Sequence, residues 1–133
     1  ICDSTPVAVQ AVAAQGYADA VSCIIRFANG STGTIVYSSL GDPAVPKEYL
    51  EVFGSGLVAQ INDYTRMDLT RAGKTETVKG PQEKGQAACV AAFFDAIKTG
   101  KSAISMKELV AVTETTFAIE QALATGGAVS LLA

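Results

Sequence analysis

The sequence predicts an α+β fold: a mostly antiparallel, open-faced sheet with two C-terminal helices packed on one face. Three observations predict it. Apolar residues alternate with period two through the first two-thirds of the chain, the last third changes to a helical period, and turn residues punctuate the strand-like runs. Strands followed by helices, rather than interleaved with them, indicate α+β.

Residues 7–14 contain no breaker and read as an early strand whose faces differ little. Val21, Cys23, Ile25 and Phe27 then alternate with Ser22, Ile24 and Arg26, as in a half-buried strand. Asn29-Gly30 follows and predicts a hairpin through a type I′ turn, whose two central residues both need positive φ. Residues 32–39 are the return strand. The stretch from Leu40 to Lys47 holds Pro43, Pro46, Gly41 and Asp42 and is predicted as loop. A strand at 49–53 turns at Gly54-Ser55-Gly56 into another at 57–61. Residues 67–71 and 75–78 predict a more polar hairpin about Ala72-Gly73, and Pro81 and Gly85 close the strand-rich part.

Val90, Phe93, Phe94 and Ile97 fall at i, i+3, i+4 and i+7, one apolar stripe of a helix that Gly100 stops. Ser105-Met106-Lys107-Glu108 has the form of a capping box, in which the serine hydroxyl and the glutamate carboxylate satisfy each other's backbone N–H groups. Leu109, Val112, Thr116, Ile119 and Leu123 continue that helix to Gly126-Gly127, and residues 128–131 predict a last short strand.

The 133 residues carry 13 acidic against 10 basic side chains, a formal charge of −3, with 49% apolar and 17% charged residues. This composition excludes a disordered tail and fits a single domain, residues 1–133. A pI near 4.8 argues against a nucleic-acid partner, which needs a basic face. No apolar run approaches the ~18 residues of a membrane helix, so no membrane partner is expected. The absence of histidine excludes Ser-His-Asp and Cys-His nucleophiles and HExxH zinc sites within the chain. Cys2, Cys23 and Cys89 are odd in number and widely spaced, which predicts no disulfide scaffold, no metal site and a cytoplasmic home. Cys23 and Cys89 are expected to be buried as small hydrophobes. The chain opens at Ile1 without methionine, and strand follows within a few residues. That predicts a C-terminal piece of a longer polypeptide.

Both faces of the central hairpin carry apolar residues: Ile24 lies opposite Cys23 and Ile25, and Val36 lies opposite Ile35 and Tyr37. Two helices cover one face of a sheet. Scattered exposed apolar residues are normal, but a larger bare patch marks an interaction surface. The expectation is that the open face meets another protein, as a homodimer.

Gly54-Ser55-Gly56-Leu57-Val58-Ala59 matches G-x-G-x-x-A, the dinucleotide fingerprint. Glu51 within the preceding strand and the turn chemistry of Asn62-Asp63 favour a β-turn between two strands instead. Glu48 with Glu51, or Asp63 with Asp68, offer carboxylate pairs whose spacing fixes no acid–base geometry. Lys74, Lys79, Lys84, Lys98 and Lys101 read as solvating surface charges. Lys47, in the proline loop beside Glu48, stands where rigid scaffolds place binding groups.

The words Phe27-Ala28-Asn29-Gly30-Ser31-Thr32-Gly33-Thr34-Ile35, Leu50-Glu51-Val52-Phe53-Gly54-Ser55-Gly56 and Phe93-Phe94-Asp95-Ala96-Ile97-Lys98-Thr99-Gly100, with the closing helix, occur in an order that resembles the C-terminal domain of the Gfo/Idh/MocA oxidoreductases. The resemblance spans residues 7–131. It implies a missing N-terminal nucleotide-binding domain that holds NAD or NADP, with this chain lining the substrate site and pairing subunits. The family's catalytic lysine lies in a Glu-Lys-Pro motif of that other domain. Glu83-Lys84-Gly85 lacks the proline, so the role is not carried over and no catalytic or cofactor-binding residue is assigned here. The segment before the Glu-x-Phe-Gly strand can reach substrate in the family, which implies a substrate-binding role for Lys47. The resemblance also favours a strand–turn–strand at residues 54–59.

The expected function is therefore the substrate and oligomerisation domain of an NAD(P)-dependent oxidoreductase acting on a sugar, polyol or related hydroxylated compound, catalytically inert alone. Its rival is a non-enzymatic dimerisation or protein-interaction module. A third reading has the chain bind a dinucleotide through residues 54–59.

Overall fold

In the computed structural model, which describes residues 2–131, the strands are β1 (Pro6–Ala13), β2 (Ala20–Phe27), β3 (Thr32–Ser38), β4 (Tyr49–Gly54), β5 (Leu57–Asn62), β6 (Arg66–Arg71), β7 (Lys74–Lys79) and β8 (Val129–Ser130). The helices are α1 (Gln86–Thr99) and α2 (Met106–Thr125). The fold is α+β, every strand pairing is antiparallel, and the strands divide into two four-stranded sheets. The expectation drawn from Ile1 falls on a residue outside those described.

The chain forms two compact units. The first, Ile1–Gly41 with Ile104–Ala133, holds a sheet in the order β3-β2-β1-β8 and the helix α2. Register places Ala11 opposite Cys23 and Cys23 opposite Ile35, so these three share one face. Ala122 of α2, with no exposed surface, packs on Ala11 and Cys23, and Ile119, Leu123 and Val129 flank them. The small side chains let the helix lie close against β1 and β8, the two strands it covers. Thr115, the buried polar residue of α2, spends its hydroxyl on the Ala111 carbonyl at 2.7 Å. The capping box at Ser105 forms as the sequence predicts, with Glu108 N–H donating to Ser105 Oγ at 3.2 Å and Ser105 N–H to Glu108 Oε2 at 3.0 Å.

The other face of this sheet carries Val12, Ile24 and Val36, since Val12, Ser22 and Val36 stand in one row and Gln10, Ile24 and Thr34 in the next. Ile24 is 49% and Val36 73% exposed. Neither lies beneath α2, whose contacts use the Cys23 side.

The β2–β3 hairpin departs from the predicted turn in one respect. Gly30 alone has positive φ, at 86°, and its N–H closes on the Phe27 carbonyl at 3.0 Å. This is a three-residue loop ending in a left-handed glycine, not a type I′ turn. Asn29 is held by its side chain, which accepts from Ser31 N–H at 3.0 Å and donates to the Cys2 carbonyl at 2.9 Å.

The second unit, Asp42–Ala103, is a β4-β5-β6-β7 meander followed by α1. Its hairpins turn at Ser55-Gly56, Asp63-Tyr64 and Ala72-Gly73, and all six residues have positive φ, the property that defines type I′ turns. Alternate rows give the sheet two unlike faces. Leu50, Ile61, Met67 and Val78 align on one, next to Val52, Ala59 and Leu69. The other holds a polar lattice: Gln60 Nε2 donates to Tyr49 and Glu51, Arg66 grips Asp68 through two bonds of 2.7 and 3.0 Å, and Thr77 donates to Asp68 at 2.6 Å. Helix α1 carries the predicted stripe and Gly100 stop, but has no buried residue, and Val90, Phe93, Phe94 and Ile97 remain more than half exposed. Cys89 on α1 is exposed, contrary to the burial that its alanine-rich surroundings predict, while Cys23 is buried as expected.

Candidate functional site

The loop before β4 is shaped by its own residues. Asp42 accepts from Ala44 N–H on its side chain at 2.8 Å and from Val45 N–H on its carbonyl at 3.1 Å, folding the loop back. Pro43 and Pro46 fix φ on either side. Within the second unit this loop walls a cleft of about 360 Å³, whose remaining lining comes from Glu48, Asp63, Gln82 and Lys84.

Three segments distant in sequence are tied together here. Asp63 N–H donates to the Glu48 carbonyl at 2.7 Å, and Gln82 Nε2 donates to the Asp63 carbonyl at 3.2 Å. Lys84 Nζ meets Glu48 Oε1 at 2.6 Å, both side chains being 35% exposed. The Asp63-Tyr64 turn presents Asp63 to this junction at φ 47°, in the left-handed region that aspartate tolerates better than most residues.

The hydrogen bond from Lys84 holds the Glu48 carboxyl below its ordinary range, and Glu48 in turn holds the Lys84 ammonium above its own. Near neutral pH the pair is therefore fully charged. An ammonium that keeps its proton is no general base, and a carboxylate committed to an ammonium is a poor proton acceptor. The cleft can bind and orient a ligand.

Lys47 lines this cleft, and the structure gives its ammonium no ion pair among the described residues. The carboxylate pairs raised by the sequence are dispersed into other contacts. Glu48 joins Lys84, Glu51 accepts from Gln60 at 2.6 Å, and Asp68 is held by Arg66 and Thr77, which lower its carboxyl. Lys84, which reads as a solvating surface charge in the sequence, is instead a lining residue with a partner. No local signal marks it, because Glu48 lies 36 positions away. Burial raises the Cys23 thiol, leaving it protonated and inert. Among the described residues no group of three or more histidine, cysteine, aspartate or glutamate side chains is placed to hold a metal ion. Among the described residues, no helix is long and apolar enough to cross a membrane.

Residues 54–59 do not fit a dinucleotide. Gly54 ends β4, Ser55-Gly56 is a hairpin turn, and Leu57 to Ala59 belong to the antiparallel strand β5. The fingerprint needs a helix whose N-terminal N–H groups face the pyrophosphate, and none follows. No step of hydride transfer is assigned to these residues.

No protein-family model and no curated protein matches the chain. Solved structures do. UDP-N-acetylglucosamine 3-dehydrogenase GnnA from Acidithiobacillus ferrooxidans superposes with a TM-score of 0.78 at 18% identity, over 90% of this chain and 41% of its own. An oxidoreductase from Agrobacterium radiobacter, solved in complex with NAD+, L-tartaric acid and magnesium, gives 0.78 at 15% identity, covering 95% of this chain and 43% of its own. A levoglucosan dehydrogenase in complex with NADH and levoglucosan gives 0.75 at 20% identity, covering 95% and 45%. The chain spans less than half the length of each, and it carries the fold that these three proteins show over the matched part.

Proposed function

We propose that this chain is the C-terminal substrate and oligomerisation domain of an NAD(P)-dependent oxidoreductase of the Gfo/Idh/MocA type, acting on a sugar, polyol or related hydroxylated compound. The observation that carries the reading is the superposition of 90–95% of the chain on 41–45% of two dehydrogenases and an NAD+-bound oxidoreductase. The sequence words quoted above support the same family independently.

In this reading the nicotinamide cofactor belongs to the missing N-terminal nucleotide-binding domain, where it supplies the hydride acceptor. The residues here bind and orient. Lys47 donates to a substrate oxygen from a loop stiffened by two prolines. The Glu48–Lys84 pair holds that loop against residue 84, and the whole 133-residue stretch works as one cytoplasmic domain. Subunits pair as a homodimer through the face bearing Ile24 and Val36.

The uncovered face also supports the rival, a protein-interaction module without redox chemistry. One assay separates them. Full-length protein is mixed with NAD or NADP and a panel of sugars and polyols, and reduced cofactor is followed by its absorbance. The enzyme reading predicts turnover with at least one hydroxylated substrate and none with residues 1–133 alone. No turnover across the panel would favour the module.

A further inference from the structure

The residues ahead of β1 run as a strap along the tip of the β2–β3 hairpin. Ala28 N–H donates to the Thr5 carbonyl at 2.9 Å, Asn29 N–H to Ser4 Oγ at 3.1 Å, and Asn29 Nδ2 to the Cys2 carbonyl at 2.9 Å. Asn29 Oδ1 accepts from Ser31 N–H at 3.0 Å, so both ends of its side-chain amide are engaged. Between the anchors at Cys2 and Ser4, Asp3 is held at φ 43°, in the left-handed region.

Asn29 is also followed by a glycine. Asparagine amides are thermolabile, and their loss is easiest before glycine, which has no Cβ to hinder attack by its nitrogen. In that reaction Gly30 N bonds to Asn29 Cγ and gives up its proton, while the Cγ–Nδ2 bond breaks and ammonia leaves. Water then opens the cyclic imide to aspartate or isoaspartate, and nothing is oxidised or reduced. Water reaches this tip, where Asn29 and Gly30 are exposed. The reacting atoms are nevertheless tied. Gly30 N–H closes on the Phe27 carbonyl at 3.0 Å and Nδ2 on that of Cys2, and both bonds must break before the imide forms.

The product does not refasten. Where Nδ2 donated to the Cys2 carbonyl, a carboxylate only accepts, so two acceptors meet and the bond is lost. We propose that Asn29-Gly30 is a latent deamidation site locked by the Cys2–Thr5 strap, and that reaction there releases the strap for good. It is a one-way latch, independent of the oxidoreductase reading.

Peptide mapping by mass spectrometry tests the lock on full-length protein aged in mildly alkaline buffer, with and without urea. Asn29 should convert at least about tenfold more slowly in the folded protein, because reaction waits on a local opening. Ser4→Ala removes one strap bond and leaves Asn29 and Gly30 untouched. Asp3→Pro forbids the left-handed φ, and because Asp3 is exposed it displaces the strap without opening the core. Either change should speed conversion in folded protein and leave the rate in urea as it was. Folded, unaltered protein converting as fast as in urea would overturn the lock, and so would two variants that age no faster than it. Asn29→Asp, which has the shape of one product, tests the release. Hydrogen exchange should quicken at the amides of Ala28 and residue 29 while the β2–β3 ladder stays protected. Unchanged exchange at both amides would overturn the latch.

Discussion

Lys84 Nζ sits 2.6 Å from Glu48 Oε1 across 36 positions of sequence, joining the loop before β4 to the segment that enters α1. The pair depends on charge in a way that pH can read.

The folded-state Glu48 carboxyl is lowered from an ordinary 4.5, chiefly by the Lys84 hydrogen bond. A lowered carboxyl stabilises the fold above its unfolded value, and that contribution disappears as pH falls through the folded one. Asp68, lowered by Arg66 and Thr77, and Glu108, lowered by Ser105, act in the same direction. Thermal unfolding followed from pH 7 to pH 3 should show Tm falling with acidification. Lys84→Met should flatten part of that fall. A Lys84→Met profile parallel to that of the unaltered protein would remove the pair from the account.

Tyr64 occupies a left-handed conformation, with φ 53°, in the second central position of its turn. A bulky side chain there costs on the order of 1–2 kcal/mol relative to right-handed backbone, and Asp-Gly is the pair such turns prefer. Tyr64→Gly should therefore raise stability by about 1 kcal/mol in urea unfolding. A loss of stability would mean that Tyr64 makes packing contacts worth more than the backbone strain.

The capping box at the start of α2 gives a prediction of opposite sign. Ser105→Ala removes the acceptor for Glu108 N–H and should lower stability by about 1 kcal/mol, the usual cost of losing such a cap. Since α2 packs on β1 and β8, the loss should appear in global unfolding and not only as a frayed helix end.

Much of the fold can be read from neighbouring residues, because strands, caps and tight turns are local chemistry. The 20–39 hairpin, the Ser105–Glu108 box and the Gly100 stop are of that kind. What escapes the sequence is set by groups far apart. Asn29, expected in a type I′ turn, instead donates to the Cys2 carbonyl, 27 positions away. Lys84 acquires its partner only because the meander returns the chain to Glu48. Cys89 shares the composition of a buried helix yet lies on an exposed one, since a helical period says which residues share a face and not whether anything covers it. At the cleft, the sequence singles out the loop of Lys47 as a place for a binding group, but gives no sign that Asp63, Gln82 and Lys84 line a cleft with it.

The face holding Ile24 and Val36 carries the assembly prediction. Ile24→Lys with Val36→Lys places two charges on a surface whose residues are 49% and 73% exposed, so the fold itself should tolerate them. Light scattering at micromolar concentration should show a dimer for the full-length protein and a monomer for the double variant. An unchanged mass would place the subunit contact elsewhere.

The most direct test of the central claim is steady-state kinetics of Lys47→Met in the full-length protein, with the best substrate of the panel. If Lys47 grips substrate in the cleft, KM for the sugar or polyol should rise at least about tenfold, the worth of a lost charge-assisted hydrogen bond of about 1.5 kcal/mol. KM for the nicotinamide cofactor and Tm should stay as they were. Unaltered KM and kcat for the hydroxylated substrate would contradict the account.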